Sequence, residues 1–171
     1  MQQVVSRRRN PFNPMVLSFG KFIADGATNV IPNVVTLAGS LRCMNELERQ
    51  QMLKVIPHIA VSTADAYGCH CEVTIPEGYP CTISSKDVTE LVRNAATELI
   101  GDKNIAEFPK RMTADDFGFF TEKYKGCYYR FGVAGAHKLG KLHTSTFLIN
   151  EEALHATTSL FAFLSLKTLG R

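Results

Sequence analysis

Five cysteines, five histidines and a pair of adjacent carboxylates carry most of the chemistry this sequence can offer. Cys69-His70-Cys71 would set two thiols on one face of a strand, a soft donor pair of the kind metals take. No second Cys/His pair stands at zinc-knuckle spacing, and two small apolar side chains on a strand face are the ordinary alternative. Asp115-Asp116 could serve acid–base work or metal ligation, with helix capping as the competing role. Arg7-Arg8-Arg9 could meet phosphates, but no aromatic residues interleave with it, so a solvated basic helix end accounts for it. His58 and His155 fall on expected helices and His70 on an expected strand. His143 differs. It lies in Gly140-Lys141-Leu142-His143-Thr144-Ser145, a loop after a strand and before a capped helix, where α/β enzymes place ligands and catalytic groups.

The elements that must position these residues follow from periodicity and caps. Residues 2–9 read as the last turns of a helix, stopped by Asn10-Pro11. Residues 15–24 and 34–43 alternate as two strands and should pair as a hairpin around the loop 25–29. Asn45 and Glu48 form a capping-box pattern ahead of a helix that reaches Gly68, with Pro57 predicting a kink or a later start. Residues 69–76 alternate as a strand ending in the turn Glu77-Gly78-Tyr79-Pro80. The clearest helix spans residues 85–100, with one apolar face from Val88 to Ile100 and Gly101 as its stop. Beyond it come a short strand at 105–108, a helix at 114–122 opened by Thr113 and Asp116, and a strand at 127–134. A Gly- and Lys-bearing loop at 135–142 and a last helix capped by Asn150 complete an α/β pattern. The residues before about Ser84 resolve into most of a ferredoxin-like α+β unit, short of its first strand and most of one helix, which would leave strand edges and an apolar face uncovered.

Length and composition bound the rest. The chain has 171 residues, 45% hydrophobic and 20% charged, enough for one ordinary domain or two small ones sharing a core. The greasiest run, residues 160–166, is far shorter than the ~18 apolar residues of a membrane span, and no secretory signal pattern opens the sequence. A soluble, cytoplasmic protein is expected. The odd cysteine count without framework spacing predicts free, mostly buried thiols, and a net charge of +3 does not by itself announce a nucleic-acid partner.

Four segments in fixed order carry a resemblance: Gly26-Ala27-Thr28-Asn29-Val30-Ile31-Pro32, Gly39-Ser40-Leu41-Arg42, Met112-Thr113-Ala114-Asp115-Asp116-Phe117, and Leu142-His143-Thr144-Ser145-Thr146-Phe147 with Asn150-Glu151-Glu152. Together they resemble the metal-dependent amidohydrolases of the aminoacylase and carboxypeptidase family, in the branch of hippurate hydrolases, N-acetyl-diaminopimelate deacetylases and auxin-conjugate hydrolases. The likeness covers nearly the whole chain, with Val5-Ser6-Arg7 and Gly78-Tyr79-Pro80 at matching places.

The resemblance implies a two-metal α/β catalytic domain interrupted by a smaller lid that often dimerises. Residues 1–83 would be the lid, entered inside its first helix, and residues 84–171 the C-terminal part of the catalytic domain. It implies that His143 ligates one of two divalent metals, zinc or else manganese, cobalt or nickel. Asn29 and Arg42 would contact the substrate, an N-acyl amino acid or small peptide, with Arg42 suited to its carboxylate by two parallel hydrogen bonds. Gly132 and Gly135 would let the backbone approach that substrate. The family's other ligands, general-base glutamate and lid histidine have no counterpart here, and Asp115 stands where a glutamate is usual, so the chain alone is expected to be inactive. Homodimerisation through the lid or complementation by an N-terminal half is the expected partnership, with neither nucleic acid nor membrane. The alternatives are a non-catalytic interaction module, the relic of a truncated gene, or an RNA binder using Arg7, Arg8 and Arg9.

Overall fold

Apolar residues at helical spacing, closed by a capping residue and a glycine, produce the best-defined elements. The computed structural model describes residues 1–135 and 140–170. In chain order these are α1 (Gln3–Arg8), β1 (Met15–Ile23), β2 (Thr36–Cys43), α2 (Glu46–Ala66), α3 (Lys86–Ile100), a single 3₁₀ turn (Asp102–Asn104), α4 (Phe117–Lys123) and α5 (Glu152–Thr168). They form a mixed helix and strand fold with a small antiparallel sheet. The chain divides into two compact units, Met1–Cys81 with Lys110–Gly118, and Thr82–Pro109 with Phe119–Arg171.

In the first unit, β1 and β2 pair as the hairpin the alternation predicts, from Met15 opposite Cys43 to Ile23 opposite Thr36. The register shifts between Phe19 and Lys21, so Gly20 is an extra, bulged residue. Alternation alone did not foresee this. Gly39 faces the bulge so closely that a Cβ would run into the Ser18 carbonyl oxygen, which explains its glycine. One face of the hairpin meets α2 around Val4, Met15, Met52 and Ile56, with Leu17, Leu41 and Ile59 packed beside them.

Helix α2 starts as the sequence predicts, with Asn45 Oδ1 accepting the Glu48 N–H at 3.0 Å. The reciprocal arm of the box goes elsewhere. Glu48 is buried, and its Oε1 takes the Asn10 N–H at 2.9 Å, tying the turn after α1 to the helix start. The helix runs across Pro57 and its start is not moved there. Its predecessor α1 fills six residues, as expected of the basic run's helix.

In the second unit, α3 opens at Ser85, whose N–H and Oγ both donate to the Gly126 carbonyl at 2.8 and 3.1 Å. It closes at Gly101, where φ is 80° and the N–H reaches Thr97 O at 3.0 Å. Ala95 and Ala96 let α5 come close, with Leu160 buried against them and Ile105, Tyr129, Phe131, Phe163 and Leu164 around the contact. Lys167 Nζ on α5 pairs with Glu98 Oε2 on α3 at 2.5 Å.

Three expected strands are not formed. Residues 69–76, 105–108 and 127–134 carry the alternating pattern, yet the sheet contains only β1 and β2. A strand exists only when a neighbour completes its ladder, and none of these segments has one among the described residues. The helix expected at 114–122 begins later, at Phe117, where Asp115 Oδ1 accepts the Phe117 N–H at 2.9 Å. The expected loop 135–142 lies outside the described residues from 136 to 139. The cysteines are free, as predicted, but none is buried: Cys69 is exposed and the other four are half-buried.

Candidate functional site

His143 sits in a turn that its neighbours build. The Thr144 N–H and the Thr144 hydroxyl both donate to the Lys141 carbonyl, at 3.1 and 2.7 Å, so two bonds close the same four-residue turn. Thr144 Oγ1 also meets Thr146 Oγ1 at 3.2 Å, and the Phe147 N–H returns to Thr144 O at 3.1 Å. Inside this clasp His143 has φ of 66°, the left-handed conformation, shared among the described residues only with glycines. A side chain with a Cβ is strained there by roughly 1–2 kcal/mol, so the turn holds the imidazole in a place glycine or asparagine would normally fill. Gly140 comes so close to the Thr146 carbonyl that a Cβ would not fit. His143 is exposed.

Gly135 lies on the other side of the undescribed residues, and a Cβ there would stand 3.3 Å from Asn150 Cβ. Asn150 fixes this neighbourhood, since its N–H donates to Val133 O at 2.9 Å and its Oδ1 accepts the Glu152 N–H at the start of α5 at 3.2 Å. Gly132 is exposed, with open space where a Cβ would be.

In the first unit, Arg42 is exposed at the far end of β2, opposite Val16, and its Nη1 donates to Met112 O at 2.8 Å. Asn29 is exposed in the loop between β1 and β2, inside the turn closed by Val30 N–H on Ala27 O at 3.0 Å. Along the chain, loop residues 30–35 and the strand residues from Thr36 lie between Asn29 and Arg42. Asp115 is engaged as the cap of α4.

Cys69-His70-Cys71 makes no metal site: it forms no strand, the Cys69 thiol rests on Tyr67 O at 3.7 Å, and His70 pairs loosely with Glu72 at 3.5 Å in solvent. Among the described residues no three His, Cys, Asp or Glu side chains converge as metal ligands. A catalytic metal needs about three protein ligands. His143 by itself does not meet that need, so the described residues do not fit a two-metal centre on their own.

The densest polar cluster is one that sequence reasoning missed. Both Glu46 carboxylate oxygens accept Arg49 Nε at 2.9 Å, and Gln50 Nε2 and the Cys81 N–H add bonds of 2.9 Å each. Burial by itself would raise the Glu46 pKa, but the bonds from Arg49, Cys81 and Gln50 outweigh it and bring it from 4.5 to about 2. Half-buried Cys43 and Cys81 border this carboxylate. Only the i, i+3 spacing of Glu46 and Arg49 was visible beforehand, and it does not reveal a partner 35 positions away at Cys81.

A two-unit mixed fold with a histidine-bearing turn before its last helix defines a class already suggested by the motifs, and known proteins agree. Residues 10–167 match the profile of peptidase family M20/M25/M40. The chain belongs to that family. A hippurate hydrolase of Campylobacter jejuni is 33% identical over 99% of this chain and 44% of its own length. The IAA-amino acid hydrolase ILR1-like 4 of Arabidopsis thaliana is 27% identical over 99% of this chain and 40% of its own. The crystal structure of a Bacillus subtilis protein, described as a dinuclear metal binding peptidase, superposes with a TM-score of 0.77 at 22% identity, covering 99% of this chain and 44% of that one. The chain thus spans less than half the length of these relatives.

Proposed function

We propose that this chain serves a metal-dependent hydrolase that cleaves the linear amide bond of N-acyl amino acids or small peptides. The observation that carries the reading is the strained turn at His143, an imidazole kept at φ of 66° by two bonds to one carbonyl. Backbone strain of this sort persists where a side chain is needed in one place. In this reading His143 supplies one ligand to a divalent metal, zinc or else manganese, cobalt or nickel, and polypeptide outside these 171 residues supplies the others and the general base. Arg42 holds the substrate carboxylate through guanidinium N–H groups other than the one given to Met112, and Asn29 and Gly135 contribute further contacts. Residues 1–83 act as a lid and dimerisation region and 84–171 as part of the catalytic domain. The relatives' names support the substrate class, because hippurate and an IAA-amino acid are both acyl groups joined to an amino acid by an amide. The unpaired cysteines favour a cytoplasmic setting.

Alone, the chain is expected to be inactive, for want of ligands. The test is metal content and hydrolysis of N-benzoyl- and N-acetyl-amino acids by the pure chain, and again after mixing with the N-terminal part of the Campylobacter relative. The expected result is silence alone and activity on mixing that His143→Ala abolishes. Stoichiometric metal with turnover in the unmixed chain would overturn the claim of inactivity. Activity on mixing that survives His143→Ala would remove the histidine from the site. A second reading, a non-catalytic module that binds a copy of itself or a larger partner, draws on the apolar side chains exposed on both units, and folded chain that stays silent in every mixture favours it.

A further inference from the structure

The pair Cys43 and Cys81 plays no part in the hydrolytic reading. Cys43 ends β2, with its side chain against the core of the first unit. Cys81 is the last residue of that unit's first segment, before the chain enters the second unit at Thr82. The two are 38 positions apart, yet the Cys81 thiol donates to the Cys43 carbonyl at 3.4 Å. The approach is fixed from both sides. The Cys81 N–H is held by Glu46 Oε2 at 2.9 Å, and the preceding Pro80 is buried against Gly118, where a Cβ would lie 2.5 Å from the Pro80 oxygen. Disulfides join cysteines whose Cα atoms lie about 4.4–6.8 Å apart, and the Cys81 thiol already reaches the backbone of Cys43.

We propose that Cys43 and Cys81 form a reversible redox pair that closes into an intramolecular disulfide, tethering the chain's exit from the first unit to the end of β2. With a small-molecule disulfide such as oxidised glutathione as the oxidant, one cysteine loses its proton to solvent and attacks a glutathione sulfur, expelling one glutathione thiolate. The second cysteine then attacks the protein-bound sulfur and expels the other. The two protein thiols are oxidised, one glutathione disulfide is reduced to two glutathione thiols, and the two protons given up by the cysteines end on those thiols.

The surroundings set the speed. Burial, then the nearby Glu48 and Glu46 charges, opposed by Arg49, push the Cys43 thiol up to about 11. Burial, the Glu46 charge and a hydrogen bond to Glu46, with Cys43 adding and Arg49 opposing, push Cys81 up to about 12. Whichever of the two thiols ionises first attacks glutathione, and the other resolves the mixed disulfide. Glu46, with its pKa near 2, stays charged throughout. Closure is slow at neutral pH, and its rate rises about tenfold per pH unit between pH 7 and 9 as the thiolate fraction grows.

The test oxidises the purified chain with oxidised glutathione at pH 7, 8 and 9, followed by acid quench, alkylation, digestion and mass spectrometry without reduction. A sample oxidised in guanidinium chloride sets the distribution of pairings without a fold. The expected result is a dominant Cys43–Cys81 cross-link, reversed by dithiothreitol and formed about tenfold faster with each pH unit. The variant Cys69→Ala/Cys71→Ala/Cys127→Ala should give the same bond, and Cys81→Ser should leave Cys43 as a lasting glutathione adduct. Separate adducts on Cys43 and Cys81, a preferred bond to Cys69, Cys71 or Cys127, or the same pairings as in denaturant would overturn the proposal.

Discussion

At the scale of single residues, the clearest departure from local preference is His143. Its backbone is left-handed, a conformation that costs a side chain with a Cβ roughly 1–2 kcal/mol and costs glycine nothing. Alanine normally stabilises relative to glycine, because it loses less freedom on folding. At position 143 that order should reverse: His143→Gly is expected to be about 1 kcal/mol more stable than His143→Ala in urea denaturation. Equal stability, or the ordinary order, would show that the Thr144 clasp does not impose this backbone. The sequence set His143 apart through its place in a Gly- and Lys-bearing loop before a capped helix, and its expected role came from the family resemblance. The left-handed geometry was not legible, since histidine carries no local signal for it. It arises from Thr144 donating twice to one carbonyl. Asp115, for which helix capping was weighed against chemistry, accepts the Phe117 N–H at the start of α4.

At the scale of elements, helices were legible and most strands were not, for a physical reason. A helix satisfies its own backbone, so an apolar period with a cap and a terminal glycine is nearly sufficient information, as α3 between Ser85 and Gly101 shows. A strand needs a neighbour. Residues 69–76 and 127–134 alternate as well as β1 does, but alternation names the buried face and not the partner. Only β1 and β2, joined by a local loop, find each other among the described residues. The start of α2 depends similarly on distant groups, because Glu46 gathers Arg49, Gln50 and the Cys81 N–H. Its pKa of about 2 in the fold against 4.5 ordinarily means that the unfolded chain takes up its proton first. The stability it contributes is therefore fully present above pH 4.5 and is lost as pH falls towards 2. Urea denaturation of the chain and of Glu46→Gln across this window should show the largest difference above pH 4.5, shrinking as the wild-type carboxyl becomes protonated near pH 2. A difference independent of pH would mean that Glu46 acts by shape alone.

At the scale of the whole molecule, the buried apolar sets are small and the exposed ones large. The first unit buries Val4, Met15, Met52 and Ile56, and the second Ala95, Ala96 and Leu160. Against these, the hairpin leaves Phe22 70% exposed, and α5 leaves Phe161 68% exposed alongside Leu154, Leu166 and Leu169. Phe161 also lines a concavity of about 410 Å³ with Tyr129, Leu164 and Leu169, again mostly apolar. A helix with apolar residues on every side is ordinarily covered on every side, and α5 is covered on the side facing α3. No helix among the described residues is long and apolar enough to cross a membrane, so α5 does not reach apolar surroundings by spanning one. Surface of this kind drives association, at ~25 cal/mol per Å² of apolar area removed from water. Sedimentation velocity on the pure chain should therefore show mass rising with concentration. Because the two patches lie on different units, they can be tested separately: Phe161→Glu should release association through α5, and Phe22→Lys association through the hairpin. If only Phe22→Lys raises the monomer fraction, the hairpin carries the contact between copies. If only Phe161→Glu does so, α5 carries it, and the same substitution should also weaken complementation by a relative's N-terminal part. A wild-type chain that stays monomeric at high concentration would instead show that these side chains are tolerated in water.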